Sequence, residues 1–155
     1  MDAAERYSLD DLLHSGPRSV VYRGTRLQDG VKVVLKILRK EMPTPTEVAR
    51  FRREYELLAS LRDLGSGIVT AHGMETHLGR PTLVMEDIGG VSLRTYANGK
   101  RLPSTEVLEI GCALARILSL LHQRDILHKD INPANVVINP TTKQVQLIDF
   151  GIASV

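Results

Sequence analysis

The first forty residues carry the pattern of hydrophobic and polar positions that is typical of a β-sheet. β-Branched residues concentrate in residues 20–22 and again in residues 31–38, and Asp29-Gly30 between the two runs is a strong hairpin signal. Three antiparallel strands are therefore predicted between residues 7 and 39. Two further short strands, over residues 68–75 and 82–87, are expected to complete a small sheet.

Two segments have the spacing of amphipathic helices. In the first, Thr44 is the expected N-cap, Pro45 the first helical residue, and Glu47 the residue that reaches back to the cap. Its predicted apolar stripe, which leads to a helix end near Gly65-Ser66-Gly67, comprises Val48, Phe51, Tyr55 and Leu58. The second helix should run from Ser104 to about Gln123. Its predicted apolar face comprises Val107, Ile110, Leu114, Ile117 and Leu121, widened by Gly111 and Leu118.

A change of composition at Gly89-Gly90 divides the chain, and these glycines are interpreted as a flexible joint. Residues 1–88 form the strand-rich part. Residues 89–155 contain a short helix over 92–98, the second long helix, and short strands over 135–139 and 145–149. The sequence thus predicts an α+β fold of two parts.

Composition narrows the function classes. With 20 Lys and Arg against 18 Asp and Glu, spread over the whole chain, the net charge is +2, and no basic tract indicates nucleic-acid binding. Cys112 is the only cysteine, which excludes an intramolecular disulfide and a multi-cysteine zinc site, and we expect it only to pack within the second helix. No apolar run approaches about eighteen residues and no signal peptide is recognisable, so no membrane association and a cytoplasmic location are expected.

The residues most indicative of chemistry lie near the C-terminal end of the sequence. Asp130 and Asn135 are five residues apart on a loop that enters one predicted strand, and Asp149 is on the loop that leaves the paired strand. This arrangement would bring three oxygen-bearing side chains to one place, and oxygen ligands are what Mg²⁺ prefers. Each residue taken alone could simply cap a turn.

His128-Lys129-Asp130 with Asn135, followed by Asp149-Phe150-Gly151, resembles the signature of a protein kinase domain of the bacterial serine/threonine type. The resemblance covers nearly the whole chain. It implies an N-lobe with a five-stranded antiparallel sheet and one long helix (residues 1–88), followed by an incomplete helical C-lobe (residues 89–155). It also implies ATP and Mg²⁺ as cofactors, a protein substrate, and a role in signal transduction.

The resemblance assigns roles residue by residue. Asp130 would orient the substrate hydroxyl and accept its proton, Asn135 and Asp149 would bind metal, and His128 would brace the loop. Lys36 would contact the ATP phosphates and pair with Glu54 on the first helix. The remaining residues that the resemblance places around ATP are Gly16, Val21, Val34, the gatekeeper Met85, the carbonyl of Glu86 and the amide of Ile88.

The sequence departs from the family at several positions. Of the three glycines expected in the phosphate-covering loop only Gly16 is present, and Arg18 is a candidate to compensate. Lys129 replaces an Arg that often clamps a phosphorylated activation segment. Asn132 replaces a Lys that neutralises the transferring phosphoryl group, which would weaken transition-state stabilisation.

The sequence ends at Val155, just after Asp149-Phe150-Gly151, so we expect a fragment of a longer kinase. The apolar face of the helix over residues 104–123 would then be partly exposed and available for association. Met85-Glu86-Asp87 and the catalytic loop further resemble the N-terminal kinase-like module of large bacterial sensor and ATPase signalling proteins. Such a module would have downstream signalling domains as partners.

Two alternatives remain open. The first is a non-catalytic ATP-binding or scaffolding module, which the single-glycine loop and Asn132 favour. The second is a small-molecule kinase of the aminoglycoside or choline type, which shares the Asp-to-Asn spacing. Phe150-Gly151 after Asp149 makes the second alternative the weaker one.

Overall fold

The β-strands of the computed structural model, which describes residues 6–155, belong to two separate sheets. The chain divides into two units: the described residues up to Ala59 with Thr70–Asp87 form the first, and Ser60–Val69 with Ile88–Val155 form the second. The first unit contains β1 (Tyr7–Ser15), β2 (Ser19–Arg26), β3 (Lys32–Leu38), helix α1 (Pro45–Ser60), β4 (Ala71–His77) and β5 (Arg80–Glu86). The second contains a 3₁₀ helix (Arg62–Leu64), β6 (Val91–Ser92), α2 (Leu93–Ala97), α3 (Ser104–His122), β7 (Val136–Ile138) and β8 (Val145–Leu147).

The sheet of the first unit has five antiparallel strands in the order β1-β2-β3-β5-β4. The three predicted N-terminal strands are confirmed, and Gly30 adopts the positive φ of +72° that the β2–β3 turn requires. One face of this sheet is an apolar cluster of Tyr7, Val33, Leu35, Ile37 and Val84. Burial, together with the hydrogen bond that Tyr7 donates to Glu75, raises the pKa of Tyr7 to about 12.

Helix α1 starts as the sequence predicts. The Thr44 hydroxyl accepts the amide of Glu47, and the Glu47 carboxylate accepts the amide of Thr44 at 2.8 Å, which is a complete capping box. Ion pairing with Lys40 and these cap bonds lower the pKa of Glu47 to about 2. The helix ends at Ser60 rather than near Gly65, because the 3₁₀ helix takes over the intervening residues.

The start of the fourth strand was predicted three residues too early. Ile68 pairs in parallel with Leu147, and the amide of Val69 donates to the Leu147 carbonyl, so these residues belong to the second unit. The strand begins at Ala71. Two apolar residues in an extended segment cannot by themselves indicate which sheet they join.

In the second unit, α3 occupies the predicted range and buries Ile110, Ile117 and Leu121. Gly67 allows close packing, since a Cβ there would lie 2.5 Å from Cγ1 of Ile117. Val107 was placed on the apolar face but is 52% exposed. A face defined by spacing is wider than the surface that a neighbouring element covers, and Val107 lies on the uncovered part.

Cys112 was also expected to pack, but it is exposed. Position inside a helical pattern does not indicate which side of the helix is covered. None of the helices within residues 6–155 combines the length and the apolar character needed to span a membrane.

Strand β6 was missed, because two residues beside Gly89-Gly90 carry no periodic signal. It pairs with β7, and β7 pairs with β8, to form a three-stranded antiparallel sheet. A Cβ on Gly90 would lie 2.4 Å from Cγ1 of Val137. Close backbone packing against β7 therefore accounts for glycine at residue 90, where the sequence suggested only a flexible joint.

A polar cluster connects three elements of the second unit. The Tyr96 hydroxyl on α2 donates to Glu106 on α3, and Lys143 in the β7–β8 turn donates to both of them. These bonds, first from Tyr96 and then from Lys143, lower the pKa of Glu106. The cluster holds the turn against the N-terminal half of α3.

Candidate active site

An ion pair joins sheet and helix in the first unit. The Nζ of Lys36 on β3 lies 2.8 Å from both carboxylate oxygens of Glu54 on α1. Only 13% of the Lys36 side chain and 4% of the Glu54 side chain are exposed. Two charges removed so far from water stabilise each other only in close contact, so the pair fixes α1 against the sheet at this point.

The register of the sheet aligns several candidate ATP-binding residues. Val21 on β2 is the cross-strand partner of Lys36, and Val34 on β3 is the partner of Met85 on β5. Cross-strand partners, and residues two apart on one strand, project from the same face. These four side chains therefore share the sheet face opposite the Val33-Leu35-Ile37 cluster.

The β1–β2 turn, which contains Gly16, is held by Arg39 at the end of β3. The Arg39 guanidinium donates to the Gly16 carbonyl at 3.0 Å and to the Ser15 hydroxyl at 2.6 Å. Its backbone amide also donates to the carbonyl of Arg18 at 2.9 Å. The loop that lacks two of the family's glycines is thus anchored by an arginine, while Arg18 contributes its carbonyl.

The end of β5 is fixed to its surroundings within the first unit. The amide of Glu86 donates to the Thr70 carbonyl, and the Glu86 carboxylate accepts the Thr70 amide at 2.8 Å. Asp87 accepts two hydrogen bonds from Arg23 on β2. In the second unit, the carbonyl of Ile88 accepts a hydrogen bond from Asn139.

In the second unit, His128 braces the loop that carries Asp130. The imidazole is 2% exposed, packs edge-on against Phe150 with ring centroids 4.7 Å apart, and accepts the Asp130 amide at Nδ1. Nε2 lies 2.9 Å from the Ile148 carbonyl. A carbonyl only accepts, so the proton is on Nε2 and His128 is neutral. Its role is to connect the loop to the residues beside β8.

Both carboxylate oxygens of Asp130 accept side-chain amides. Asn132 donates to Oδ1 at 3.0 Å and Asn135 donates to Oδ2 at 2.9 Å, while both also donate to the Asp130 carbonyl. Asn132 in addition accepts the amide of Ala134. Asn132 therefore orders this loop, although it cannot supply the positive charge of the Lys that the family usually has there.

Asp149 lies at the same end of the β7–β8 hairpin as Asn135. Val136 pairs with Leu147, and the amide of Ile148 donates to the Asn135 carbonyl at 3.0 Å. Ile148 therefore faces Asn135, and Asp149 is the next residue. Asp149 has a positive φ of 60°, and its carboxylate accepts the Gly151 amide at 3.3 Å. The hairpin thus brings the two predicted metal ligands, Asn135 and Asp149, to one edge.

The donor set fits a magnesium ion bound together with a polyphosphate. Mg²⁺ usually takes one or two protein oxygens, completing its shell with phosphates and water. The Asn135 amide nitrogen is committed to Asp130, while its Oδ1 accepts no hydrogen bond from the described residues. Within the part of the chain that the structure describes, no group of three or more His, Cys, Asp and Glu side chains is arranged to hold a metal ion.

Comparison with known proteins identifies the architecture. A family model of the protein kinase domain matches residues 7–155. The chain belongs to the protein kinase family. The five-stranded antiparallel sheet with its helix has the architecture of the kinase N-lobe, as the sequence predicted.

The most similar relatives include bacterial serine/threonine kinases. The chain is 34% identical over 97% of its length to the serine/threonine-protein kinase PknB of Mycobacterium leprae, and 34% identical over 96% to a probable serine/threonine-protein kinase of Streptomyces coelicolor. It is 28% identical over 95% to casein kinase II subunit alpha' of Saccharomyces cerevisiae. The kinase chain spans 25% and 22% of the two bacterial relatives and 42% of the yeast relative.

Three residues of this kinase domain with structural roles beside the candidate site were missed from the sequence: Arg39, Arg23 and Asp87. Arg39 contacts two residues that lie 23 and 24 positions earlier in the sequence, and Arg23 contacts Asp87 across 64 positions. These residues meet only because the strands pair in one register. A single charged residue within or just after a strand pattern gives no signal for such contacts. The roles assigned to the candidate ATP-binding, metal-binding and catalytic residues remain predictions, as does the lobe boundary after residue 88.

Proposed function

We propose that this kinase domain transfers the γ-phosphoryl group of ATP to a serine or threonine hydroxyl of a protein. The observation that carries the proposal is the Asp130 carboxylate, held at both oxygens by Asn132 and Asn135 on a loop braced by neutral His128. A carboxylate fixed in this way can point one oxygen at a substrate hydroxyl without rearranging.

In the proposed reaction the hydroxyl oxygen attacks the γ-phosphorus and the bond from that phosphorus to ADP breaks. The hydroxyl proton passes to Asp130. Lys36, oriented by Glu54, would neutralise charge on the phosphates, and Val21, Val34 and the backbone of residues 86–88 would bind the base.

Asn135 and Asp149 would hold Mg²⁺, which when bound neutralises charge on the phosphate oxygens. Both supply hard oxygen donors from one edge of the β7–β8 hairpin. Gly16 lies in the turn held by Arg39, and this turn would cover the phosphates. The protein substrate, and any downstream domain that acts as a partner, belong to this proposal, as does a cytoplasmic location with access to ATP.

A second candidate function is nucleotide binding without phosphate transfer. Asn132 favours it, because its amide is used inside the loop and provides no cation for the transferring phosphoryl group. The phosphate-covering turn also contains a single glycine and is hydrogen-bonded to Arg39.

Isothermal titration calorimetry with MgATP, combined with transfer of labelled phosphate to a generic serine/threonine substrate, separates the two candidates. For a transferase we expect the wild-type chain to bind and transfer, and Asp130→Asn to bind equally while losing at least about 100-fold in transfer rate, the scale of one general base. Asp125→Asn, which changes an exposed carboxylate outside the site, is the matched control.

Binding with no transfer above background, and no change in Asp130→Asn, would establish the nucleotide-binding function in place of the enzyme. Absence of MgATP binding by a folded wild-type chain would reject both. Retained transfer in Asp130→Asn would reject the role of Asp130 alone.

A further inference from the structure

We propose that the Arg23–Asp87 ion pair is a positioning device that sets the backbone of residues 86–88 and thereby the selectivity of this domain for adenine. The inference rests on the proposed function, in which that backbone recognises the base. Neither residue is a catalytic residue in this account. They act through the main chain beside them.

The pair has side-on bidentate geometry. Arg23 Nε lies 2.6 Å from Asp87 Oδ2, and Nη2 lies 3.2 Å from Oδ1. Two parallel N–H donors fix both the distance and the orientation of a carboxylate, which a lysine could not do. The hydrogen bonds from Arg23 to Asp87 also raise the pKa of Arg23 above its ordinary value.

Burial distinguishes this pair from the arginine–aspartate pair at the β2–β3 turn of the first unit. The side chains of Arg23 and Asp87 are 21% and 5% exposed, whereas those of Arg26 and Asp29, three residues apart in the β2–β3 turn, are 31% and 44% exposed. A solvent-exposed pair contributes little, but a buried carboxylate depends on its partner. Asp87 is therefore held in place by Arg23.

The register places Arg23 on the candidate site face. It is the cross-strand partner of Val34, which lies two residues from Lys36 on β3. On its other side it is opposite Asp11 of β1, whose charge also favours the guanidinium. Arg23 thus reaches the end of β5 along the same face that carries Lys36.

The segment it reaches is already tied on one side. Glu86 exchanges two hydrogen bonds with Thr70, one from its backbone amide and one to its carboxylate. Asp87 is the next residue, so Thr70 and Arg23 together hold two consecutive residues, Glu86 through its backbone amide and Asp87 through its carboxylate. The Asp87 carboxylate has too little exposed surface to be the main contact of a ligand, which leaves its backbone as the route of any effect on binding.

Adenine and guanine differ in the donors and acceptors on the edge that a backbone carbonyl and amide would read. A fixed backbone rejects the wrong pattern because polar groups would be left unpaired. A loosened backbone adapts to both. Loss of the pair should weaken MgATP binding by roughly five- to tenfold, about the net value of one hydrogen bond, and MgGTP binding less.

The test compares Asp87→Asn, which removes the charge and keeps the shape, with Asp29→Asn, which makes the same change in the exposed pair. A third variant, Arg23→Asp with Asp87→Arg, restores the pair in reverse. Dissociation constants for MgATP, MgGTP and magnesium tripolyphosphate are measured by calorimetry. Circular dichroism melts confirm that each variant is folded.

We expect Asp87→Asn to lower the ATP-to-GTP affinity ratio, to leave tripolyphosphate binding unchanged, and to be at least partly rescued by the reversed pair. Asp29→Asn should match the wild type. Equal losses for all three ligands would indicate general destabilisation and overturn the inference, as would an unchanged ATP-to-GTP ratio.

Hydrogen exchange separates this inference from the proposed function. If the wild-type chain binds no nucleotide, the proposed function and base selectivity fail together. The effect of the ion pair on the backbone is then measured as the hydrogen-exchange rate of the amides of residues 86–88 in the absence of ligand. Faster exchange there in Asp87→Asn than in Asp29→Asn supports it, and identical exchange rejects it.

Discussion

Replacing Lys36 by Met tests the ion pair that connects β3 with α1. The substitution keeps a long, largely apolar side chain and removes only the ammonium group. It leaves the Glu54 carboxylate, 4% exposed and previously 2.8 Å from the ammonium, without its cation. The effect is predicted for folding stability and does not depend on whether the domain is active.

Removing one partner of a buried ion pair costs about 3–5 kcal/mol, mostly because the remaining charge stays buried. The Lys36 side chain keeps 13% of its surface exposed, which places the expected loss near the lower limit, at about 3 kcal/mol. Urea unfolding of a small domain has a slope of about 1–3 kcal/mol per molar, so the midpoint should fall by roughly 1–3 M.

The double variant Lys36→Met with Glu54→Leu should recover much of this loss, since it leaves no charge to bury. Lys32→Met is the matched control, because Lys32 also pairs with a carboxylate at 3.0 Å but is 60% exposed. Urea titrations followed by circular dichroism at 222 nm give the midpoint for each chain.

A midpoint for Lys36→Met as close to the wild type as that of Lys32→Met would refute the reasoning. A double variant that is less stable than Lys36→Met by about another 3 kcal/mol would also refute it. Either result would mean that Glu54 reaches water or another cation when Lys36 is absent.

Two further predictions concern local structure. Pairing with Lys40 lowers the pKa of Glu47 to about 2, so its contribution is complete above the ordinary Glu pKa and is lost as pH falls from about 4.5 toward 2. Glu47→Gln should flatten the fall of the urea midpoint over that pH range, whereas Glu56→Gln, on the exposed side of the same helix, should leave the fall as in the wild type. If the midpoint falls equally steeply with pH in both variants, Glu47 does not stabilise the helix through its cap and its pairing with Lys40. Gly24→Ala would place a Cβ 2.3 Å from a carbonyl oxygen of β1. Urea titration should show a loss of about 1–3 kcal/mol in the free energy of unfolding. The control Gly73→Ala should cost less, because a Cβ there would have no heavy atom within 4 Å. Similar losses would show that β1 moves aside freely.

Asn132 illustrates how a departure from the family pattern acquires a structural explanation. In sequence it appeared only as the loss of a cation. The structure uses both ends of its amide, donating to Asp130 and accepting from Ala134, so the loop is ordered by Asn132 itself. At this position the family's Lys would supply a positive charge, whereas Asn132 instead orders the loop beside Asp130, the candidate general base.

Local patterns determined the elements of this protein. The capping box of Thr44 and Glu47, the positive-φ turn at Gly30 and the periodicity of residues 104–122 depend on neighbours within a few residues, where steric and hydrogen-bonding preferences operate directly. The loop containing Asp130 and Asn135 was recognisable for the same reason, because its chemistry is concentrated in eight residues.

Contacts between distant segments were decided by the tertiary structure. The side on which Val107 lies, the transfer of Ile68 from β4 to β8, and the meeting of Arg23 with Asp87 all depend on which surfaces pack and on the strand register. A shift of one residue would turn Arg23 to the opposite face of the sheet. Spacing along the chain defines a helix or strand, but only the packed sheet defines which charges become buried together.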